Sequence, residues 1–307
     1  MPGRDLMIDV SLIIVNWNTS KLLFDCLNSV YKTGSSFAIE LIVVDNGSTD
    51  DSVEMVAKCF PQVRLIKNNR NMGFARANNQ ALSISRGRYF LLLNSDTIML
   101  PGCIDKLVDI ADRHSELGIV GPRVLNMDGS VQVSWGSFPS ILSELMGGYF
   151  RTRHVVVNVQ EAFDVDWVLG ACMLVRSKTV ADVGKLDDDY FFYSEEIDWC
   201  YRIKKRNWKI WYITNAEIYH LGGGSTQMGS LAHLVRLYRG KLLFFQKHHG
   251  RFRTTLLRFG LALANAVGVF RRVLILNWLY RSGAFRRIID QSKLVWCLIR
   301  NQYPKVD

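Results

Sequence analysis

Two acidic positions stand where an apolar run stops. Asp45 closes the run Ile39–Val44 and is followed by Asn46-Gly47-Ser48-Thr49-Asp50, and Asp96 closes Asn94-Ser95-Asp96 after the apolar run Tyr89–Leu93. A carboxylate beside exposed backbone N–H groups at a helix start suits a nucleoside and its anionic phosphates. A hard carboxylate oxygen can also hold Mg²⁺ or Mn²⁺, which then bridges two phosphates. Taken alone, each segment is equally an ordinary turn, because Asn-Gly, Ser and Asp are common turn and capping residues.

A third acidic group, Glu195, Glu196 and Asp198, follows the aromatic run Tyr190-Phe191-Phe192-Tyr193 and Ser194. Adjacent carboxylates raise one another's pKa, and one of them can act as a general base when partly buried. Acids in a first helical turn also complement the helix dipole, so the group has a structural reading too. Asp198 is spaced to pair with Arg202 four residues on. His220 ends an apolar stretch before Gly222-Gly223-Gly224, a run open enough to be a lid or a hinge. His248-His249 lie among basic residues and are given no chemistry.

The elements that must carry these residues alternate between strand and helix in the first half, the pattern of a parallel sheet flanked by helices. Val10–Val15 is an apolar strand; Ser20 is placed to N-cap a helix with Leu23, Cys26, Leu27 and Val30 on one face. Ile39–Val44, Val63–Ile66 and Tyr89–Leu93 are further strands, with helices over 53–60, over Gly73–Ser85 and after Pro101, where Ile104, Leu107, Val108 and Ala111 face inward. Later, Val131–Trp135, Val165–Leu169, Trp208–Ile213 and Ala216–His220 are expected strands, Glu195–Arg206 a helix, and 136–160 a loop-rich insertion. Ligands of open parallel sheets bind beyond the carboxyl ends of strands, where Asp45 and Asp96 fall.

The chain's 307 residues, 49% hydrophobic and 21% charged, suffice for one large α/β domain with an appended region. Six scattered cysteines form neither a CxxC pair nor a Cys/His cluster, so no disulfide framework or structural zinc is expected, and a reducing cytoplasm fits. The first residues show no secretory h-region. The net charge of +10 is lopsided: residues 231–307 hold 15 Lys/Arg against Asp290 and Asp307, while residues 1–230 hold 23 basic and 26 acidic side chains. Leu234, Val235, Tyr238, Leu242 and Phe245 recur at helical spacing among the basic residues, and the apolar run Phe259–Phe270 is too short to cross a bilayer. A basic amphipathic helix at an anionic membrane surface is the expectation. A solvated extension or a homodimer surface is the alternative reading.

Seven ordered blocks, VSLIIVNWN, VVDNGSTDDS, NNRNMGFARANNQAL, FLLLNSDTIM, GPRVLNMDGSVQ, WVLGACMLVRSKTVADVG and FFYSEEIDWCYRIKKRNWKIWYITNAEIYHLGG, resemble the family 2 glycosyltransferases, and among them the rhamnosyltransferase-like enzymes of bacterial surface polysaccharide synthesis. The resemblance runs from about Asp9 to Gly224. It implies an α/β GT-A fold, Rossmann-like with a mostly parallel central sheet, over residues 1–230, with a nucleotide half near 9–125 and an acceptor half near 126–230. It implies inverting transfer from a nucleoside-diphosphate sugar, dTDP-rhamnose or a UDP-sugar, to a glycan or lipid-linked glycan. Asp45 would meet the base or ribose, with Val15, Asn16, Asn18, Gly73, Arg76, Asn78, Asn94 and Ser95 lining the nucleotide site. Asp96 and His220 would hold Mg²⁺ or Mn²⁺, Glu196 or its neighbour Glu195 would take the acceptor proton, and Gly170, Ala171 and Asp198 would border the acceptor. Asn94 stands where many relatives have aspartate. The implied location is cytoplasmic, peripheral on the inner face of the cell membrane.

Two other classes share part of this pattern. A sugar-nucleotide nucleotidyltransferase usually needs a glycine-rich basic loop after the first strand, where Asn16-Trp17-Asn18-Thr19 stands instead. A nucleic-acid-binding module is disfavoured because the excess charge lies outside the α/β part and no recognition motif appears. No nucleic-acid partner is expected.

Overall fold

A computed structural model describes residues 7–146, 161–223, 230–276 and 282–303, with the backbone alone for 271–276 and 282–288. Residues 147–160 of the expected insertion, the N-terminal residues 1–6 and Gly224 lie outside this set.

In chain order the elements are β1 (Val10–Asn16), α1 (Ser20–Thr33), β2 (Ile39–Asp45), α2 (Ser52–Cys59), β3 (Arg64–Lys67), α3 (Phe74–Leu82), β4 (Tyr89–Asn94), β5 (Thr97–Met99), α4 (Cys103–Arg113) and β6 (Leu117–Leu125). There follow β7 (Trp135–Gly136), α5 (Ile141–Leu145), β8 (Ala162–Asp164), β9 (Trp167–Val168), β10 (Cys172–Arg176), α6 (Ser177–Val183), α7 (Glu195–Lys205), β11 (Lys209–His220), α8 (Leu231–Leu276) and α9 (Ser282–Arg300).

The main sheet runs β3-β2-β1-β4-β10-β6-β11-β5, with β8 beside β11. Strands β3, β2, β1 and β4 are mutually parallel, as are β6 and β11; β10 is inserted antiparallel between β4 and β6. The central strands are apolar on both faces because helices cover both. Leu12, Ile13, Ile14, Ile42 and Leu91 are wholly enclosed, as are Leu23 and Leu27 of α1 and Leu107 and Val108 of α4. Each such side chain contributes about 1.5–3 kcal/mol on burial, so the strand ends are set on a rigid platform.

Several expectations change in detail. The N-terminus of α1 is not capped by Ser20, whose backbone N–H instead donates to Asp50 Oδ2 at 3.0 Å. The two late strands are one, β11, which crosses Thr214–Ala216 through an irregularity in its pairing with β6. The expected strand Val131–Trp135 shrinks to a Val131–Leu125 bridge and the short β7. Strand β6 was not anticipated, because Gly118, Gly121 and Pro122 break its apolar pattern; β10 was missed because it follows the Gly170-Ala171 turn at once.

The described residues divide into two compact units: one of 7–138, 161–191 and 195–223, and one of 139–146, 192–194, 230–276 and 282–303. The second is helical. Helix α8 breaks at Gly250, where φ is 82°. Its two arms and α9 bury Val235, Leu242, Phe244, Phe245, Leu257, Leu261, Leu294 and Leu298. Helix α5 is fastened by Glu144, whose carboxylate accepts from Lys241 Nζ at 2.6 Å. Among the described residues no helix is long and apolar enough to cross a membrane.

Candidate active site

Parallel register brings the strand ends level. Asn16 lies beside Asp45, and Val15 beside Asn94. Asp45 is 2% exposed, and its carboxylate closes the turn that follows it: Oδ1 accepts from Asn16 Nδ2 at 3.2 Å and Oδ2 from the Ser48 N–H at 3.0 Å. Ser48 Oγ accepts from the Asn18 N–H at 2.9 Å, and Asn18, at φ 54°, accepts the Thr49 N–H through Oδ1 at 2.7 Å. Thr19 Oγ1 donates to Asn16 Oδ1 at 2.6 Å and stands 3.0 Å from Ser95 Oγ. Val15, Asn16, Asn18, Asp45, Asn94 and Ser95 therefore do gather at one edge.

The loop before α3 is carried to the same edge by amides. Asn46 Oδ1 accepts from the Met72 N–H at 2.9 Å and from Asn68 Nδ2 at 3.1 Å, and its Nδ2 donates to Asn71 Oδ1 at 2.9 Å. Gly73 sits at φ 84°, where a β-carbon would stand 2.7 Å from the Phe191 carbonyl oxygen. That oxygen accepts the Phe74 N–H at 2.7 Å. Only glycine suits both the dihedral and the approach. Arg76 is exposed on α3. Asn78 departs from the expected nucleotide contact: it is 1% exposed, and its amide nitrogen bonds back to the Phe74 carbonyl at 2.9 Å, so it supports the helix start.

Asp96 and His220 meet because β5 pairs antiparallel with β11, setting Thr97 opposite His220, and because the Leu221 N–H donates to the Asp96 carbonyl at 3.0 Å. His220 Nε2 lies 3.3 Å from Asp96 Oδ1 and 3.4 Å from Asn94 Nδ2. Its Nδ1 is 2.7 Å from Gln132 Oε1. An amide oxygen only accepts, so Nδ1 carries the proton. The amide is oriented in turn: Gln132 Nε2 donates to Asn126 Oδ1 at 2.9 Å, and Asn126 Nδ2 to Ser130 Oγ at 2.9 Å. In the neutral ring Nε2 then presents its lone pair towards a carboxylate, an electron-rich pair that a divalent cation would complete. The donor set fits Mg²⁺ or Mn²⁺, which take one or two protein groups and fill the remaining positions with phosphate oxygens and water. Among the described residues no group of three or more His, Cys, Asp or Glu is placed to hold a metal. Gln132 was not foreseen; it lies in a hairpin beside exposed Val131 and Val133, and no motif marks it.

Glu195 and Glu196 open α7 and are both buried. A β-carbon on Gly170 would stand 3.5 Å from Glu196 Cβ, and the next residue, Ala171, accepts the Asn94 N–H through its carbonyl at 2.9 Å. One turn, Gly170-Ala171, thus links the Asn94–Asp96 end to the Glu196 stem. Burial first, and the neighbouring Glu196 charge second, push the Glu195 carboxyl well above the usual carboxylate range. Its Oε2 has no hydrogen-bond partner among the described residues. Two of the expected acceptor contacts are corrected. Asp198 is fully enclosed, with Oδ2 2.7 Å from Arg202 Nε and Oδ1 accepting from Tyr190 Oη at 3.3 Å, so it braces α7. Ala171 is 1% exposed and offers its carbonyl to Asn94, leaving Gly170 as the partly open member.

Solved structures share this architecture. A mannosyltransferase from Pyrobaculum calidifontis in complex with GDP-Man and Mn²⁺ aligns with a TM-score of 0.57 over 95% of this chain and 90% of its own, at 15% identity. GalNAc-T7 with UDP, GalNAc and Mn²⁺ aligns at the same TM-score and identity over 79% of this chain, which spans 50% of that one. Sheet order and these neighbours define the fold, the α/β GT-A fold. The chain belongs to glycosyltransferase family 2, whose profile, Glycosyl transferase family 2, matches residues 11–176. Among curated relatives, the N-acetylglucosaminyl-diphospho-decaprenol L-rhamnosyltransferase of Mycobacterium tuberculosis is 30% identical over 250 residues, 73% of this chain and 81% of that protein. The low-salt glycan biosynthesis hexosyltransferase Agl10 of Haloferax volcanii is 26% identical over 66% of this chain and 64% of its own length.

Proposed function

We propose that the protein transfers L-rhamnose, with inversion, from a nucleoside-diphosphate donor to a hydroxyl of a lipid-linked glycan, with Glu196 as general base. The observation that carries the reading is the pair of acidic centres on either side of the Gly170-Ala171 turn, Asp96 with His220 Nε2 and the buried Glu195-Glu196 pair. The likeness to the mycobacterial rhamnosyltransferase supports the donor and acceptor class.

Asn16, Asn18, Asp45 and Gly73 shape the nucleoside end, and exposed Arg76 faces the phosphates. Asp96 and His220 hold Mg²⁺ or Mn²⁺, with Gln132 fixing the imidazole and Asn94 and Ser95 completing the edge. An ion held there by Asp96 and His220 would supply positive charge against the departing diphosphate. Two carboxyls this close in a dry setting share a proton more readily than they bear two charges. Burial and the neighbouring Glu196 charge raise the Glu195 carboxyl, and Glu196, whose stem lies beside Gly170, is the member assigned to take the acceptor proton. Glu196 removes the acceptor hydroxyl proton, the freed oxygen forms a bond to the anomeric carbon, and the bond from that carbon to the diphosphate breaks, its electron pair leaving with the nucleoside diphosphate. Gly170 leaves room for the acceptor beside the Glu196 stem.

The helical unit lies at an anionic membrane surface, where a lipid-linked acceptor resides. Support comes from the second arm of α8: Phe252, Leu256, Phe259, Leu263, Val267 and Phe270 recur every three or four residues and are 48–82% exposed. Exposed Arg251 and Arg253 flank the start of that stripe. An apolar stripe edged by arginine combines insertion with attraction to anionic lipid.

The test is nucleoside-diphosphate release from a panel of dTDP-, UDP- and GDP-sugars, with and without Mn²⁺ and with anionic liposomes present. Release from dTDP-rhamnose that depends on Mn²⁺, by protein that sediments with the liposomes, is expected. Turnover of another donor alone would overturn the rhamnose assignment, and turnover of none the whole reading.

A further inference from the structure

We propose that Gly240, on the first arm of α8, is a positioning residue for the catalytic carboxylates, acting through the two residues that lead into them; the proposal rests on the reading of Glu196 as the base. Tyr193 and Ser194 have φ of 76° and 72°, two successive non-glycine residues in the left-handed region. L-residues enter that region at a cost in free energy, and a pair persists only where surrounding structure over-determines it. The next residue, Glu195, is the first of α7.

What holds the pair lies within the helical unit, to which Phe192–Ser194 belong by their contacts. The Tyr193 ring meets the His233 ring edge-on, with centroids 5.4 Å apart at 90°, and the Phe192 ring at 4.5 Å. Beneath the backbone of Tyr193 lies Gly240, where a β-carbon would stand inside van der Waals contact with the Tyr193 carbonyl oxygen and 3.1 Å from Ser194 Oγ. The obstructing group is backbone, so relief would require new dihedrals at Tyr193 or Ser194. Glycine inside a helix is otherwise unfavourable relative to alanine. The close approach accounts for it. The bare surface of the helix at Gly240 therefore lets Tyr193 and Ser194 keep these dihedrals, immediately before Glu195. A misplacement of about 1 Å in such a group can cost on the order of 10²-fold in rate.

Gly240→Ala is the informative variant, because helix propensity alone predicts unchanged activity and equal or greater stability. The expected result is a kcat for nucleoside-diphosphate release lower by about 10–100-fold, a calorimetric Kd for dTDP within about twofold of wild type, and faster amide hydrogen exchange over residues 193–199. His233→Ala, which removes the ring against Tyr193 and leaves the helix intact, should move kcat and exchange the same way by less, and it decides the matter should Gly240→Ala fail to fold. Glu196→Gln is run alongside. Near wild-type turnover in Glu196→Gln overturns the assignment of the base. An inactive Glu196→Gln together with wild-type kcat and wild-type exchange in Gly240→Ala and His233→Ala overturns the positioning role alone.

Discussion

The ends of β2 and β4 are built from the same kinds of residue and end up doing different work. At the β2 end both Asp45 oxygens are engaged, by Asn16 and by the Ser48 N–H, and the side chain is 2% exposed. At the β4 end the Asp96 carboxylate faces His220 Nε2 at 3.3 Å, and Gln132 Oε1 holds the other ring nitrogen at 2.7 Å. One carboxylate is spent on holding a turn, the other is aimed. Turn chemistry therefore places an acid at each strand end, but the partners differ: the following turn closes on Asp45, whereas β11 brings the His220 ring to Asp96.

The largest effect should separate the two. Asp96→Asn is expected to lower metal-dependent turnover by about 10²–10³-fold and to abolish Mn²⁺ binding measured by calorimetry, with an unfolding midpoint close to wild type. Gln132→Leu should act in the same direction through the imidazole, weakening Mn²⁺ by about 10–100-fold. Loss of stability without loss of Mn²⁺ affinity in either variant would break the comparison.

Asp45→Ala should show the opposite profile. Removing a buried acceptor with two donors leaves them unmatched, at about 1–3 kcal/mol, read as a lower midpoint in urea while Mn²⁺ affinity is retained. Substantial loss of Mn²⁺ affinity there would mean that both strand ends serve the ion.

The smallest effect concerns the Glu195-Glu196 pair. The Glu195 pKa is raised in the folded protein, chiefly by burial. The folded state therefore keeps a proton that the unfolded chain releases above about pH 4.5, and the stability this contributes is lost as pH rises through the raised folded value. Glu195→Gln does not titrate, so its thermal midpoint should gain on wild type progressively as pH rises from about 4.5 towards the raised folded value. A midpoint difference independent of pH would show that Glu195 ionises normally.

Much of the β1–β4 half was legible because its strands are unbroken apolar runs and its turns carry Asn, Gly, Ser and Asp. The i,i+4 pair Asp198–Arg202 was legible for the same local reason, and it is formed at 2.7 Å. Its consequence was not, because the enclosure of Asp198 beneath Tyr190 depends on residues eight positions apart folding over it. Asn78 was misread likewise: a helical asparagine gives no sign of which way its amide turns until the Phe74 carbonyl is in place. Gln132 and Gly240 had no local signature at all, since the Gln132–His220 and Gly240–Tyr193 contacts join residues far apart in the chain. The strand-end acids and their turns were readable as residue types, whereas the side chains that surround them were not.

The central claim is that the chemical step belongs to Glu196 and donor binding to the strand ends. Glu196→Gln, assayed for nucleoside-diphosphate release from dTDP-rhamnose with Mn²⁺ and for dTDP affinity by calorimetry, tests it most directly. Turnover lower by about 10²–10⁴-fold with unchanged dTDP affinity is the predicted result; turnover near wild type would contradict the account.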